Sequence, residues 1–185
     1  MTMFKKALAV AVAAATLASA APAAAETYTI RVLGGDIGTV KESNSTFFCP
    51  EHQMLIGRAH SGDENGTTTY YCGQIYVNDV RVEVLPERYW VRVNEPNSVY
   101  TVPDGYALTG RYHYGDEKGY TVYYAQMMRW QGKSMRIVGR HWTADMKESK
   151  HISLSPTGEI MTGRYHYGDE NGRTAYEYAK VAVDG

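Results

Sequence analysis

The stretch Gly57-Arg58-Ala59-His60-Ser61-Gly62-Asp63-Glu64-Asn65-Gly66 returns at Gly110-Arg111-Tyr112-His113-Tyr114-Gly115-Asp116-Glu117-Lys118-Gly119. It returns again at Gly163-Arg164-Tyr165-His166-Tyr167-Gly168-Asp169-Glu170-Asn171-Gly172. The leading glycines stand at 57, 110 and 163, an interval of 53 residues each time. A fixed interval of that length marks repeated supersecondary units, none of which buries its apolar face alone. Laid out without gaps, the units are 27–79, 80–132 and 133–185, and eleven columns are identical in all three. In the first unit those columns are Glu42, Pro50, Gly57, Arg58, His60, Gly62, Asp63, Glu64, Gly66, Thr68 and Tyr70.

Each unit opens on a β-branched run, Thr29-Ile30-Arg31-Val32 in the first, which reads as a strand. A less regular piece follows and then a proline with turn chemistry, as in Pro103-Asp104-Gly105. The recurring stretch itself predicts a hairpin, with strands over 54–62 and 67–77 in the first unit. Asp63 and Gly66 suit the first and fourth positions of a type I turn. A left-handed Gly66 would then close a bulged loop, setting His60 opposite Tyr70 and Gly62 opposite Thr68. No strong helical period appears in 27–185. The expectation is one all-β domain over 27–185, rich in hairpins, whose three repeats close with pseudo-threefold symmetry as a β-prism or a β-trefoil.

Residues 1–25 read as a secretory signal peptide. Lys5 and Lys6 precede the apolar run Ala7 to Ala18, and Ala23-Ala24-Ala25 offers small residues for cleavage. Export to a periplasm or to the extracellular space is expected, with no integral membrane segment after cleavage. The two cysteines, Cys49 and Cys72, then read as one disulfide. Net charge is −1, with basic and acidic residues interspersed, which argues against a nucleic-acid partner.

Strand alternation assigns the faces. Odd positions of the first hairpin hold Leu55, Ala59, Ile75 and Val77, a face apolar enough to be the core. Even positions hold Arg58, His60, Thr68 and Tyr70, which on that parity point outward or into a groove between repeats. The candidate ligand-binding residues are therefore Arg58, His60, Glu64 and Tyr70, with Arg111, His113, Glu117 and Tyr123, and Arg164, His166, Glu170 and Tyr176. A guanidinium fork, acceptor carboxylates and flat phenol rings suit sugar hydroxyls or a carboxylated glycan. The bland alternative is structural: Arg58 pairs with Glu42 or Glu64 to lock neighbouring repeats, and His60 bonds to Tyr70.

The leading expectation is an exported, non-enzymatic, lectin-like binding protein with up to three glycan sites. The alternative is an exported inhibitor or adhesion protein that binds a cell-surface or secreted protein through a tyrosine-rich surface, since Tyr112, Tyr114, Tyr120, Tyr123 and Tyr124 crowd the second unit. A hydrolase is the weakest reading, because no nucleophile elbow or phosphate loop occurs. No metal site or cofactor is expected. Calcium at Asp63-Glu64-Asn65-Gly66 competes with a turn that already explains those residues. Three histidines meeting on an axis as a zinc site are disfavoured by the outward parity.

Overall fold

The computed structural model describes residues 26–63, 65–95, 97–116, 119–169 and 171–184. Residues 1–25, where the export signal is expected, lie outside them, as do the three turn-tip acids Glu64, Glu117 and Glu170. The described chain is all-β. Among the described residues no helix is long and apolar enough to cross a membrane.

The first segment supplies β1 (Ile30–Lys41), β2 (Ser45–Phe48), β3 (Met54–Ser61) and β4 (Thr67–Val77). The second supplies β5 (Val80–Arg81), β6 (Glu83–Asn94), β7 (Asn97–Thr101), β8 (Tyr106–Tyr114) and β9 (Tyr120–Trp130). The third supplies β10 (Lys133–Trp142), β11 (Met146–Lys147), β12 (Lys150–Leu154), β13 (Ile160–Tyr167) and β14 (Arg173–Val183). Two tight turns link the segments. Asn78 and Asp79 have φ of 48° and 64°, and Gln131 and Gly132 have 47° and 81°, the paired positive values of a type I′ hairpin.

The long strands form antiparallel rows in the orders β1-β4-β3-β12, β6-β9-β8-β2 and β10-β14-β13-β7. The hairpin pairs Lys133↔Trp130 and Ser134↔Arg129 join the second row to the third. In each row the last, short strand comes from a different segment. Its register is the same every time: Ser45 faces His113, Ser98 faces His166 and His151 faces His60. The chain is therefore laced together by three exchanged strands, and no segment completes its own sheet.

This exchange explains one identical glycine. Gly163 lies under β7, where an added Cβ would run into the Tyr100 carbonyl oxygen and stand 3.2 Å from Glu177 Cβ. Gly57 sits likewise under Ser153 and Leu154, with the Ser153 oxygen 2.7 Å from the position of a Cβ. Gly163→Ala is expected to lower stability by about 1–3 kcal/mol, as overpacking does where backbone cannot yield. Denaturant unfolding checks this, with an unchanged midpoint as the contrary result.

Two of the hairpin expectations need correction. The strand pairs are His60↔Thr68 and Arg58↔Tyr70, two residues tighter than the bulged loop predicts. The left-handed residue is the first glycine of the loop (Gly62, φ 113°; Gly115, 84°; Gly168, 95°) rather than Gly66, Gly119 or Gly172. Gly66 still closes a turn, donating its N–H to the Asp63 carbonyl at 2.8 Å.

The face assignment also changes. Along β3 the ladder steps from Leu55↔Cys72 to Gly57↔Tyr71, so Ile56 is an extra residue. One extra residue reverses which side chains point inward. Leu55 is therefore interior before the bulge, and Arg58 and His60 are interior after it, while Ala59 turns outward. The interior is layered along the strands. An aliphatic layer includes Met54, Ile75, Val77, Met128, Ile160 and Val181. An aromatic layer follows with Tyr70, Tyr100, Tyr123, Tyr176 and Tyr178. The identical polar residues form the next layer.

Candidate functional site

Each polar side chain of that layer is delivered by the same local logic. Arg58 and His60 alternate inward on β3, Thr68 and Tyr70 do so on β4, and Glu42 follows the end of β1, its N–H bonded to the Gly66 carbonyl at 2.9 Å. The second and third segments deliver Arg111, His113, Thr121, Tyr123 and Glu95, then Arg164, His166, Thr174, Tyr176 and Glu148. All are buried: Arg58 is 1% exposed and Arg111 and Arg164 are each 3% exposed.

The three guanidiniums and three carboxylates alternate around a closed ring. Arg58 reaches Glu42 at 2.9 Å and Glu148 at 3.1 Å. Arg164 reaches Glu148 at 3.0 Å and Glu95 at 3.5 Å. Arg111 reaches Glu95 at 4.0 Å and Glu42 at 2.8 Å, which closes the circuit. Each arginine therefore ties its own segment to the one before it in the ring. Each also donates to a phenol oxygen of that neighbour: Arg58 to Tyr176 at 2.8 Å, Arg111 to Tyr70 at 3.1 Å and Arg164 to Tyr123 at 3.3 Å. Thr68 donates to Glu42, and Thr121 to Glu95 at 2.9 Å.

The histidines stand beside this ring. His60 and His113 place Nδ1 against Thr68 and Thr121 at 2.9 and 3.0 Å, where a bond to Tyr70 was one expectation for His60. His166 instead lies between Glu95 and Glu148, with Nε2 3.2 Å from Glu95 Oε2 and Nδ1 3.5 Å from Glu148 Oε2. All three border a cavity of about 60 Å³ that Asp63, Asp116 and Asp169 also line. The outward parity that counted against their meeting is thus wrong. Even so, among the described residues no three His, Cys, Asp or Glu side chains form a ready metal-ligand group.

Electrostatics follow from burial and pairing. Burial alone would raise the Glu42 carboxyl, but Arg111 and Arg58 outweigh it and hold it well below the usual carboxylate range. Arg164 and Arg58 do the same for Glu148, and Arg164 leads in lowering Glu95. Burial, with Arg111 beside it, pushes His113 down to about 4. Burial with Arg58 takes His151 down to about 4 and lowers His60. Groups whose folded values lie below their unfolded ones stabilise the fold above the unfolded pKa and lose that contribution as pH falls. Imidazoles and carboxylates here act in the same direction. The melting temperature is expected to hold near pH 7 and to fall steadily from about 6.5 to 4. A melting temperature flat across that window contradicts the buried network.

The sequence-derived candidates therefore divide. Arg58, Arg111, Arg164, Tyr70, Tyr123 and Tyr176 are buried and hydrogen-bonded to one another, and Arg111 and Arg164 also line the cavity. His60, His113 and His166 border the cavity. Glu64, Glu117 and Glu170 lie outside the described residues.

What faces solvent differs from sheet row to sheet row. On the second row the outward cross-strand sets are Trp90–Tyr124–Gly110–Phe48, Arg92–Val122–Tyr112–Thr46 and Asn94–Tyr120–Tyr114. Trp90 is 60% exposed and Tyr114 51%. Tyr114 stacks on Tyr120 at 5.3 Å, and Phe48 meets Tyr124 edge-on at 4.8 Å. Arg92 lies 3.7 Å over the Tyr120 ring and Arg88 4.1 Å over Phe48. Neither guanidinium has a carboxylate partner among the described residues. On the first row the matching outward residues Ile37, Ile152 and Leu154 are exposed and aliphatic, beside Tyr71 and the hydrogen-bonded pair Thr39–Thr69. On the third, Glu177 is buried beneath Arg140 at 2.7 Å and Thr162 at 2.6 Å, and Val99 and Tyr167 are the exposed members. Phe48, Arg88 and Arg92 were missed from sequence; the crowding of tyrosines in the second segment was the available signal.

Comparison of the chain with protein-family models, with curated proteins and with solved structures finds no match.

Proposed function

We propose that this chain is an exported, non-enzymatic binding module that takes an acidic glycan on the outer face of the second sheet row. The reading rests on one observation: Arg88 and Arg92, without carboxylate partners among the described residues, lie over the rings of a partly exposed aromatic platform. Ring faces such as Trp90 and Tyr114 stack on the C–H faces of sugars, and guanidinium forks donate paired hydrogen bonds to a carboxylate or sulfate. The architecture behind this reading is a closed prism of three repeats, in which the exchanged strands and the Arg–Glu ring fix the frame and leave the outer faces to vary. An enzyme is the poorer reading, since a polar network built three times over, its arginines and carboxylates paired with one another, offers no single asymmetric pair of groups among the described residues. Export through residues 1–25 belongs to the same proposal, and the Cys49–Cys72 disulfide supports an oxidising destination.

The test is an oligosaccharide array read with the parent and with Trp90→Ala. Binding to uronate-bearing or sulfated chains is expected, weakened about tenfold or more in the variant, with the melting temperature unchanged. Equal binding by both proteins refutes the assignment of the face. A second reading, a protein partner, draws on the aliphatic outer face of the first row, where Ile37 is 65% and Ile152 67% exposed. A one-to-one complex indifferent to added sugars would favour it.

A further inference from the structure

A groove of about 450 Å³ adjoins the aromatic face of the second row, within the range of about 300–1,000 Å³ common to small-molecule sites. The loop after β2 lines it with Glu51 and His52, and the start of β6 with Glu83 and Pro86. Arg88 and its cross-strand partner Gln126 line it as well. Arg88 is also the side chain that rests over Phe48, so groove and platform meet at its guanidinium.

His52 is the residue of this groove that the fold does not require. Its φ is 60°, in the left-handed region. The residues 53 and 106 further on are Gly105 and Gly158, with φ of 77° and 79°. Glycine adopts that backbone freely, whereas a side chain there carries strain. The second segment also satisfies the next strand without a histidine, since Asp104 Oδ1 accepts the Ile137 N–H at 2.6 Å. In the first segment Glu51 stands where Asp104 does, yet the matching N–H, that of Val84, donates to His52 Nδ1 at 3.3 Å. An accepting Nδ1 leaves the ring proton on Nε2. Among the described residues nothing hydrogen-bonds to Nε2, and Glu51 Oε1 stands 3.4 Å from it on a side chain 87% exposed. The groove therefore offers an imidazole N–H, a carboxylate and a guanidinium fork together.

We infer that the groove is a subsite for a neutral, diol-bearing sugar unit adjoining the acidic unit on the aromatic platform; this rests on the glycan reading of that face. A hydroxyl both accepts and donates, so one can accept the His52 N–H while donating its own O–H to Glu51. The carboxylates of Glu51 and Glu83 repel a uronate from the groove, which leaves the acidic unit to Arg92 over Tyr120.

The experiment measures the affinity of two tetrasaccharides, one of glucuronate alone and one alternating glucuronate with glucose. It is run on the parent, His52→Gly and Trp90→Ala. The parent is expected to prefer the alternating chain about tenfold. His52→Gly should bind the two chains alike, with its melting temperature undiminished, because glycine suits that backbone. Trp90→Ala should lose affinity for both. No preference in the parent, or a preference that His52→Gly keeps, overturns the subsite while leaving the platform standing. Should the parent bind neither chain, the platform reading fails, and methyl glucoside titrated alone and followed by NMR decides the groove. Saturable shifts of the His52 ring protons support it, and their absence overturns it.

Discussion

Arg58→Met is expected to lower the stability of the protein by about 3–5 kcal/mol, because it leaves buried charges without their partner. Arg58 is 1% exposed and donates to Glu42, Glu148 and Tyr176. Methionine fills most of the volume but donates nothing. Glu42 retains Arg111 and Glu148 retains Arg164, so both carboxylates stay paired on one side only. Against a total stability of about 5–15 kcal/mol this is a large fraction. Arg88→Met on the outer face, whose guanidinium rests on a ring in solvent, should cost less than about 1 kcal/mol. Urea unfolding of the two variants side by side gives the comparison. Similar small losses in both would mean that the ring adds little to stability.

Cys49→Ala/Cys72→Ala is expected to cost about 3 kcal/mol, the loop-closure contribution for a bridge spanning this length of chain. The two cysteines are 23 apart in sequence, and their Cα atoms 5.7 Å apart. Cys72 belongs to β4 in the first row. Cys49 directly follows β2, which pairs with β8 in the second row. The bridge thus crosses between rows at a point where the second segment packs Val102 and Ala125 and the third has Ser155 and a Tyr178 hydrogen-bonded to Ser153. Because those segments hold without a bridge, the double variant should still fold, with a melting temperature lower by several degrees. A loss below about 1 kcal/mol would show that β2 is already fixed by its pairing with β8.

Much of the fold was legible in the repeat. The spacing gave the hairpin strands over Met54–Ser61 and Thr67–Val77 almost to the residue, because Gly62 and Gly66 punctuate both ends of the loop. The inward face was not legible. Ile56 is a plain aliphatic residue in a strand, and nothing in its chemistry marks it as the extra residue that reverses parity for Arg58 and His60. The exchange of β2, β7 and β12 was hidden for another reason. Short strands of four or five residues carry no record of which sheet they join, and Phe48 meets Gly110 and Tyr124 only through long-range pairing. The structural alternative for Arg58 and Glu42 was readable, since an identical acid and an identical base recur together. The aromatic outer face was half readable: its tyrosines stood out, but Arg88, Arg92 and Phe48 come from strands whose alignment only the fold supplies.

The central claim is that the residues repeated three times build the inside of the protein. Arginine side-chain NMR at neutral pH tests it most directly. The Nη–H protons of Arg58, Arg111 and Arg164, locked between carboxylates and phenols, should give resolved signals that exchange slowly with water. Those of Arg31 and Arg173, whose side chains are 51% and 59% exposed, should exchange too fast to observe under the same conditions. Slow exchange confined to the three ring arginines is the predicted result. Exchange at Arg58, Arg111 and Arg164 as fast as at Arg31 and Arg173 would contradict the account and return the repeated motif to the surface.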